Sequence, residues 1–305
     1  MNARTVSVAV CAVALAACGA APRWDDDILV ALRQARGAQQ ELVVYFALPG
    51  RELSDRMQAS LQDGVVLEAL GDGGFASAIA DANARKNLYT AWIGFGEGMG
   101  IAVLDGQGRC YAARPGPQDP AELAAFLRLC TSLRGDIAAL RGTVASSACT
   151  PQDQHRLGCL YLQLGCREPA AELLLAAATA GVADARHRLA RLHALEGDLM
   201  AARRWLAHAP KTPQALVTEG YVLFKERKHE AAAQTLEQAL QTNQLGDERQ
   251  RALLYLGKAL HEGKRDDRAV PLLTALAAEG RGTTFEAAAR HTLSHIKDPQ
   301  HGHTH

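Results

Sequence analysis

The sequence lacks the features that mark nucleic-acid-binding and membrane-spanning proteins. Its 305 residues carry 33 basic and 33 acidic side chains, so no excess of positive charge is available for a nucleic acid or an anionic membrane surface. Aromatic residues make up only 5% of the chain, and no apolar run reaches the roughly 20 residues of a transmembrane helix. Alanine and leucine are abundant instead, which favours helices, and the length suffices for two domains.

Several motifs that carry enzymatic chemistry are also missing. The chain contains no Gly-x-Ser-x-Gly nucleophile turn, no His-Glu-x-x-His zinc helix and no phosphate-binding loop. Its cysteines include no Cys-x-x-Cys pair, which excludes the usual dithiol of a disulfide oxidoreductase. We therefore predict no catalytic residue, no resident metal and no cofactor.

The N-terminus has the pattern of a targeting segment. Arg4 precedes about a dozen apolar residues, too few to cross a bilayer, and this run ends in Leu-Ala-Ala-Cys at Cys18. The pattern resembles the lipobox of bacterial lipoproteins, in which that cysteine is acylated. The resemblance implies a signal peptide over 1–17 and a lipidated tether over 18–23 that holds an extracytoplasmic protein on the membrane, with Gly19 favouring the periplasmic side of an outer membrane. The alternative is a secretory signal with an incidental cysteine.

Residues 24–134 alternate between helical and extended patterns. A helix is predicted from Trp24, followed by the apolar strand LVVYF, a Pro-Gly turn and a second helix from Arg51 to Leu61. The stretch FASAIAD predicts another strand, GIAVLDGQGRCYAA a hairpin, and PAELAAFLRLCTSL a closing helix. This order predicts an α/β domain, separated from the rest of the chain by a linker over 135–149.

The same order of elements is that of the thioredoxin-like fold, and some positions resemble short thioredoxin-like domains of exported proteins. Met57 follows the turn where a methionine often follows the redox motif, and VLDGQGR is similar to the segment after the family's cis-proline strand. Arg51 and Ser54, however, stand at the positions of the two redox cysteines, and Met99-Gly100 at that of the cis-proline. The resemblance implies a thioredoxin-like fold without oxidoreductase activity.

The second half of the chain is repetitive. Each of four small anchor residues is followed by an alanine after twelve positions and a leucine after sixteen; the anchors are Gly158, Ala190, Gly220 and Gly257. Small residues at these offsets let two helices approach closely while the leucine fills the space between them. The pattern resembles tetratricopeptide repeats, with Sel1-type repeats as a near relative. It predicts an all-α domain over 150–296, with four helical hairpins and a capping helix.

Arrays of this kind bind peptides or helices on a concave groove and do not catalyse reactions. Residues next to each anchor, and four positions beyond it, are expected to project into that groove. The candidates for partner binding are Arg191, Tyr221, Phe224, Lys225, Arg251 and Lys258. Their basic and aromatic character favours an acidic or carboxylate-ended protein segment and no nucleic acid. A solvated charged face is the alternative.

The predicted mature chain keeps five cysteines besides the lipidated one: Cys110, Cys130, Cys149, Cys159 and Cys166. Cys159 and Cys166 are too far apart along one helix to bond each other, whereas Cys130 and Cys149 flank the predicted linker. The odd total leaves at least one thiol without a partner inside the chain. The sequence leaves the pairing open.

The C-terminus is rich in histidine. His291 and His295 lie one helical turn apart, and 297–305 form a histidine-rich tail. This geometry suits a divalent metal, although a solvated tail is the simpler interpretation. The favoured function is a non-catalytic, membrane-tethered interaction adaptor. The alternative is a thiol- or metal-dependent enzyme that uses Cys110, Cys159 or the C-terminal histidines.

Overall fold

The structure, a computed structural model, describes residues 24–94, 98–242, 244–246 and 248–297. The predicted signal peptide, the lipidation residue Cys18 and all but the first residue of the predicted histidine-rich tail lie outside the described residues. Within the described part, a five-stranded sheet with its helices comes first and a succession of helices follows. This agrees with the predicted order of an α/β domain and a helical domain.

Five strands and fourteen helices make up the described structure. The strands are β1 Trp24–Asp25, β2 Leu42–Ala47, β3 Ala76–Asp81, β4 Gly100–Leu104 and β5 Cys110–Pro115. The helices of the first domain are α1 Ile28–Ala38, α2 Glu52–Leu61, α3 Gly64–Gly73, α4 Lys86–Trp92 and α5 Pro120–Val144. Those of the second are α6 Pro151–Leu164, α7 Arg167–Thr179, α8 Ala185–Glu196, α9 Leu199–Ala207, α10 Pro213–Lys225, α11 His229–Leu240, α12 Glu248–Glu262, α13 Asp266–Glu279 and α14 Thr284–Lys297. Of these fourteen helices, none has both the length and the apolar character needed to cross a membrane.

The sheet has the strand order β1-β3-β2-β4-β5. β1 and β2 run parallel to β3, whereas β4 is antiparallel to β2 and β5 is antiparallel to β4. β4 and β5 are joined by a tight turn in which the N–H of Gly108 donates to the carbonyl of Asp105 at 2.7 Å. Gly108 has a φ of 77°, a conformation that glycine adopts without strain. The predicted hairpin is therefore confirmed.

β2 is buried on both faces, as its continuous apolar sequence predicts. Val43 and Tyr45 pack in the cluster formed with α2, α3 and α5, whereas Val44 and Phe46 pack with α1 and α4. The first of these clusters continues into α6, α7 and α8. The α/β domain and the first helical hairpins therefore share one hydrophobic core.

The first helix begins later than predicted. Trp24 lies in β1, where it pairs with Ser77, and α1 begins only at Ile28. The side chain of Asp27 accepts two amide N–H groups of the first turn, at 2.9 and 3.2 Å, and so caps the helix. A capping residue has an extended backbone, which places the preceding residues outside the helix.

The segment predicted as a linker, 135–149, is helical as far as Val144. α5 is 25 residues long, and its second half buries Ile137 and Leu140 in the core cluster that includes α6. These two apolar residues are three positions apart, which is the spacing of a helix face. The core thus extends the helix through most of the expected linker, and 145–149 make the connection to α6.

α6 to α13 form four hairpins at the predicted repeat positions. A methyl group added to the anchor glycine would lie 2.9 Å from its leucine at Gly158, and 2.5 Å at Gly220 and at Gly257. In the remaining hairpin the anchor is Ala190, and its partner Leu206 keeps 9% of its surface exposed, whereas the other three leucines are 0% exposed. The predicted close approach is confirmed at the three glycine anchors. At Ala190, whose side chain is a methyl group, the contact with the facing leucine is looser.

α14 ends the array at the position predicted for the capping helix. It packs against α12 and α13 and also contacts α5. The array therefore curves back until its last helix reaches the last helix of the α/β domain. A methyl group at an anchor should disturb this packing, which gives a test.

We expect Gly220→Ala to lower the free energy of unfolding by about 1–3 kcal/mol, because the added methyl group would overlap Leu236. Gly135→Ala, at an exposed position of α5, is the matched control, since nothing lies within 4 Å of the added carbon. This control should gain about 0.5–1 kcal/mol through helix propensity. Urea unfolding measures both, and a neutral Gly220→Ala would contradict the close approach.

Candidate functional site

The inner face of the array is the surface of α6, α8, α10 and α12 that turns towards β5 and α5. It holds the predicted groove residues at different depths. These are Arg191 and Tyr221, which are buried, Arg251, Phe224 and Lys258, which are half-buried, and Lys225, which is exposed. The predicted groove is largely filled, and it opens to solvent at Lys225.

The α/β domain itself covers part of the inner face. Arg114 of β5 lies 5.0 Å from the ring centroid of Phe126 and interacts electrostatically with Tyr255 of α12. Glu122 of α5 interacts in the same way with Lys258 of α12. The inner face therefore lies against β5 and the first half of α5, where the sequence predicted a concave groove for a partner segment.

The arginine cluster, which consists of Arg188, Arg191, Arg251 and Glu248, lies on this inner face. Glu248 pairs with Arg188 of α8 and with Arg251 of its own helix. Arg191 follows Arg188 by three positions and adds a third guanidinium group, 9% exposed. Three positive charges are thus grouped around one carboxylate in a region from which most water is excluded.

The charges of the cluster set its protonation. Burial alone raises the pKa of Glu248, but the guanidinium groups of Arg251 and Arg188 hold it well below its usual value. Burial and the charge of Arg251 lower the pKa of Arg191 to about 10, which leaves it charged at neutral pH. The Nε atoms of Arg188 and Arg191 have no hydrogen-bond partner among the described residues. A buried cation with an unused donor is unfavourable for folding and favourable for binding an anion.

An aromatic layer lies beside the arginine cluster and consists of Tyr221, Tyr255 and Phe224. The ring centroid of Tyr255 is 4.5 Å from that of Tyr221 and 6.4 Å from that of Phe224. Burial raises the pKa of Tyr221, so its hydroxyl stays protonated. The two rings predicted from the sequence are therefore joined by a third, and together they form a partly buried aromatic stack next to the cations.

A cavity of about 610 Å³ lies between the end of α4 and the start of α7. Trp92 and Leu195 give it apolar walls, Arg167 supplies a positive charge, and two glutamates from α7 and α8 complete the polar part. Arg167 also interacts electrostatically with Arg114 and Tyr221, so the cavity adjoins the inner face. The cavity therefore combines apolar walls with one guanidinium group, which can bind a carboxylate, and with two carboxylates of its own.

The residues predicted to stand at the positions of redox cysteines have structural roles. Ser54 is fully buried, and its hydroxyl accepts the amide N–H of Leu48 at 3.0 Å and lies 3.0 Å from the hydroxyl of Tyr45. Arg51 is the exposed residue that precedes α2. The hydroxyl of Ser54 is therefore held by the fold and is closed off from solvent.

Cys159 of α6 is one of the two candidate thiols for a thiol-dependent enzyme. Its Sγ lies 3.4 Å from Nε2 of His155. Burial raises the pKa of the Cys159 thiol and lowers the pKa of the His155 imidazole. Both shifts favour the neutral forms, whereas a thiol-dependent enzyme needs the thiolate.

The two histidines of α14 are adjacent, with their Nε2 atoms 3.0 Å apart. His291 also approaches Asp119 and Glu122 at the start of α5, and one ligand atom from each of these three lies within 4.8 Å of the others. Such a group offers ligands to a divalent cation. Asp119 already accepts the amide N–H of Glu122 as the cap of α5, so the group has a structural role without an ion.

Three residues of the inner face were not among the candidates predicted from the sequence. They are Arg188, Glu248 and Tyr255, which precede the predicted Arg191, Arg251 and Lys258 by three positions each. Residues three apart share one face of a helix. Extending the predicted face by one turn towards the N-terminus would therefore have found all three.

Neither a protein-family model nor a curated protein matches this chain. Its function is therefore inferred from the arginine cluster, the aromatic layer and the adjoining cavity.

We expect two substitutions in the arginine cluster to act in opposite directions. Glu248→Gln should lower the free energy of unfolding by about 3–5 kcal/mol, because it leaves buried guanidinium groups without their carboxylate. Arg191→Met should leave the free energy of unfolding unchanged or raise it by about 1 kcal/mol, because it removes a buried charge and replaces it with an unbranched apolar side chain. Urea unfolding at pH 7 measures both, and a large loss with Arg191→Met would show that this charge supports the fold.

Stability should also fall as the pH is lowered, because of His187 on α8. Burial and the charge of Arg188 lower the pKa of His187 to about 3, so the folded protein keeps this ring neutral while the unfolded chain protonates it below about 6.5. The contribution is complete above that pH and is lost progressively towards pH 3, by about 2 kcal/mol between pH 7 and pH 5. Glu248, Arg191 and His155 are the other ionisable neighbours of the ring.

We therefore expect His187→Leu to flatten the dependence of unfolding free energy on pH by about 2 kcal/mol between pH 7 and pH 5. The exposed His208→Gln is the control and should keep the wild-type slope. Denaturant unfolding at several pH values measures the slope. Parallel curves for wild type and His187→Leu would refute the buried neutral imidazole.

Proposed function

We propose that this protein is a non-catalytic adaptor that binds a carboxylate-bearing segment of a partner protein on the inner face of its helical array. The arginine cluster carries the proposal. Three guanidinium groups surround Glu248, and Arg191 is buried with an Nε donor that no described residue accepts. Such a cation costs stability, and a ligand carboxylate close to the cluster would offset its charge.

The adjoining cavity provides the second part of the proposed recognition. Its apolar walls at Trp92 and Leu195 accommodate an apolar side chain, and Arg167 offers a charge-assisted hydrogen bond to a carboxylate. Arg167 is also in electrostatic range of the aromatic layer through Tyr221. A segment ending in an apolar residue with a free carboxylate fits this combination best.

We assign the α/β domain to the thioredoxin-like fold without its redox motif, and the hairpins to tetratricopeptide-like repeats. The order of elements and the mixed sheet support the first assignment, and the glycine-to-leucine contacts support the second. In this proposal the α/β domain is a scaffold that fills part of the inner face. The structural hydrogen bonds of Ser54 are consistent with a domain that performs no redox chemistry.

We further propose that the adaptor is held on the extracytoplasmic side of a bacterial membrane by a lipid on Cys18, on the periplasmic side of an outer membrane. This rests on the sequence alone, with its basic start, short apolar run and lipobox-like Leu-Ala-Ala-Cys. Acyl chains anchor a protein without a spanning helix. The tether over 18–23 would then connect the lipid to β1.

A thiol-dependent enzyme is the second candidate, because Cys159 contacts His155 next to the arginine cluster. The raised pKa of the thiol ranks it below the adaptor. Rapid alkylation of Cys159 in the folded protein at pH 7, with loss of activity in an insulin-reduction assay, would reverse this order.

The adaptor is tested by crosslinking the intact lipidated chain in its native envelope and identifying the protein that co-purifies. Arg167→Gln removes the positive charge at the wall of the cavity, and Lys225→Glu reverses the charge at the open edge of the inner face. We expect the double variant to recover at least about tenfold less partner, which corresponds to the loss of one charge-assisted hydrogen bond.

Arg204→Glu is the matched control, because it reverses an exposed charge on α9, the second helix of its hairpin. It should recover the partner as the wild type does. Far-UV circular dichroism and the melting temperature establish that each variant is folded. Equal recovery with the double variant and the wild type would exclude the cavity at Arg167 and the open edge of the inner face as the binding surface.

A further inference from the structure

We propose that Cys110 and Cys166 form a reversible disulfide that fastens the α/β domain to the first helical hairpin. Their Sγ atoms lie 3.7 Å apart, although 56 positions separate them in the sequence. Cys110 is the first residue of β5, and Cys166 directly precedes α7. This inference goes beyond the proposed adaptor function and does not depend on it.

The backbones around the two cysteines are already held together. Arg141 of α5 donates to the carbonyl of Cys110 at 3.0 Å and also bonds the hydroxyl of Tyr161 on α6. Gly165, next to Cys166, lies so close to β5 that an added methyl group would be 2.1 Å from the carbonyl oxygen of Ala113. The two elements are thus held close enough for the sulfurs to touch, and a disulfide requires the Sγ atoms to approach from 3.7 Å to about 2.05 Å.

The other three described thiols are buried or contact groups other than a thiol. Cys130 is fully buried in the core of α5, Cys149 contacts the carbonyl of Thr150, and Cys159 contacts His155. Cys130 and Cys149, which flank the segment predicted as a linker, are separate free thiols in this structure. Within the described part of the chain, Cys110 and Cys166 are the two cysteines whose Sγ atoms are in contact.

An oxidant can reach this pair through the cavity of about 610 Å³, since both cysteines line it. The oxidant is a disulfide, either a small one such as oxidised glutathione or that of a protein. The Cys110 thiol, the more exposed of the two, loses its proton and attacks the oxidant disulfide, which releases one thiol and leaves a mixed disulfide. Cys166 loses its proton, attacks the Cys110 sulfur and releases the second thiol, so two protein thiols are oxidised and one disulfide is reduced.

The bond would act on the proposed binding cavity. Arg167 follows Cys166 directly, so a disulfide fixes the first turn of α7 against β5 and restricts the position of the guanidinium group. The redox state of the pair would then affect how rigidly the first turn of α7, with Arg167, is held at the wall of the cavity.

The test uses the full mature chain equilibrated with oxidised and reduced glutathione, followed by alkylation and non-reducing peptide mapping. We expect a linked peptide that joins Cys110 to Cys166 and disappears after treatment with dithiothreitol. Cys110→Ser and Cys166→Ser should each abolish it and leave the other cysteine alkylated. Cys149→Ser is the matched control and should retain the link.

A second readout keeps the proposal testable if one variant folds poorly. Dithiothreitol should lower the melting temperature of the oxidised wild type and of Cys149→Ser by about 5–10 °C, and should leave both Cys110→Ser and Cys166→Ser unchanged. Full alkylation of both cysteines in the oxidised wild type would overturn the proposal. A link that joins Cys110 or Cys166 to Cys130 or Cys159 instead would overturn it as well.

Discussion

The close approach of the two helices in each hairpin is the contact on which the array depends. At Gly158, Gly220 and Gly257 the absence of a side chain leaves room for a leucine from the facing helix, which then becomes fully buried. Each hairpin is pinned at one point, and neighbouring hairpins stack through α8, α10 and α12. The Ala190 hairpin shows how narrow the tolerance is, because Leu206 stays partly exposed there. The curvature that results brings α14 back to α5.

That curvature makes the α/β domain part of the inner face. α5 belongs to the core of the sheet in its first half and to the core of the first hairpins in its second half, so the two domains share one hydrophobic cluster. Arg141 reinforces the junction, with hydrogen bonds to the carbonyl of Cys110, the hydroxyl of Tyr161 and the carboxylate of Asp105. The α/β domain thus determines the shape of the surface that faces the array.

The arginine cluster runs against the stability of this fold. A buried guanidinium group costs free energy unless its charge and its donors are matched, and Glu248 matches Arg188 and Arg251 better than it matches Arg191. In the proposed function, the aromatic layer beside it and the cavity at Arg167 receive an anionic segment. Apolar residues here would stabilise the fold more, and the proposed ligand carboxylate would offset the charge of the cations.

Local periodicity in the sequence is enough to predict several of the elements. The buried strand β2, the β4–β5 hairpin, the helical hairpins and α14 follow from apolar spacing, turn glycines and small anchors, which act over a few residues or one hairpin. Other features depend on contacts between distant segments. Trp24 lies in a strand because it pairs with Ser77, and most of the predicted groove residues are buried or half-buried because β5 and α5 lie against the inner face. Cys110 contacts Cys166 because the array packs on the sheet. Such pairings join residues far apart in the chain, and no short-range pattern records them.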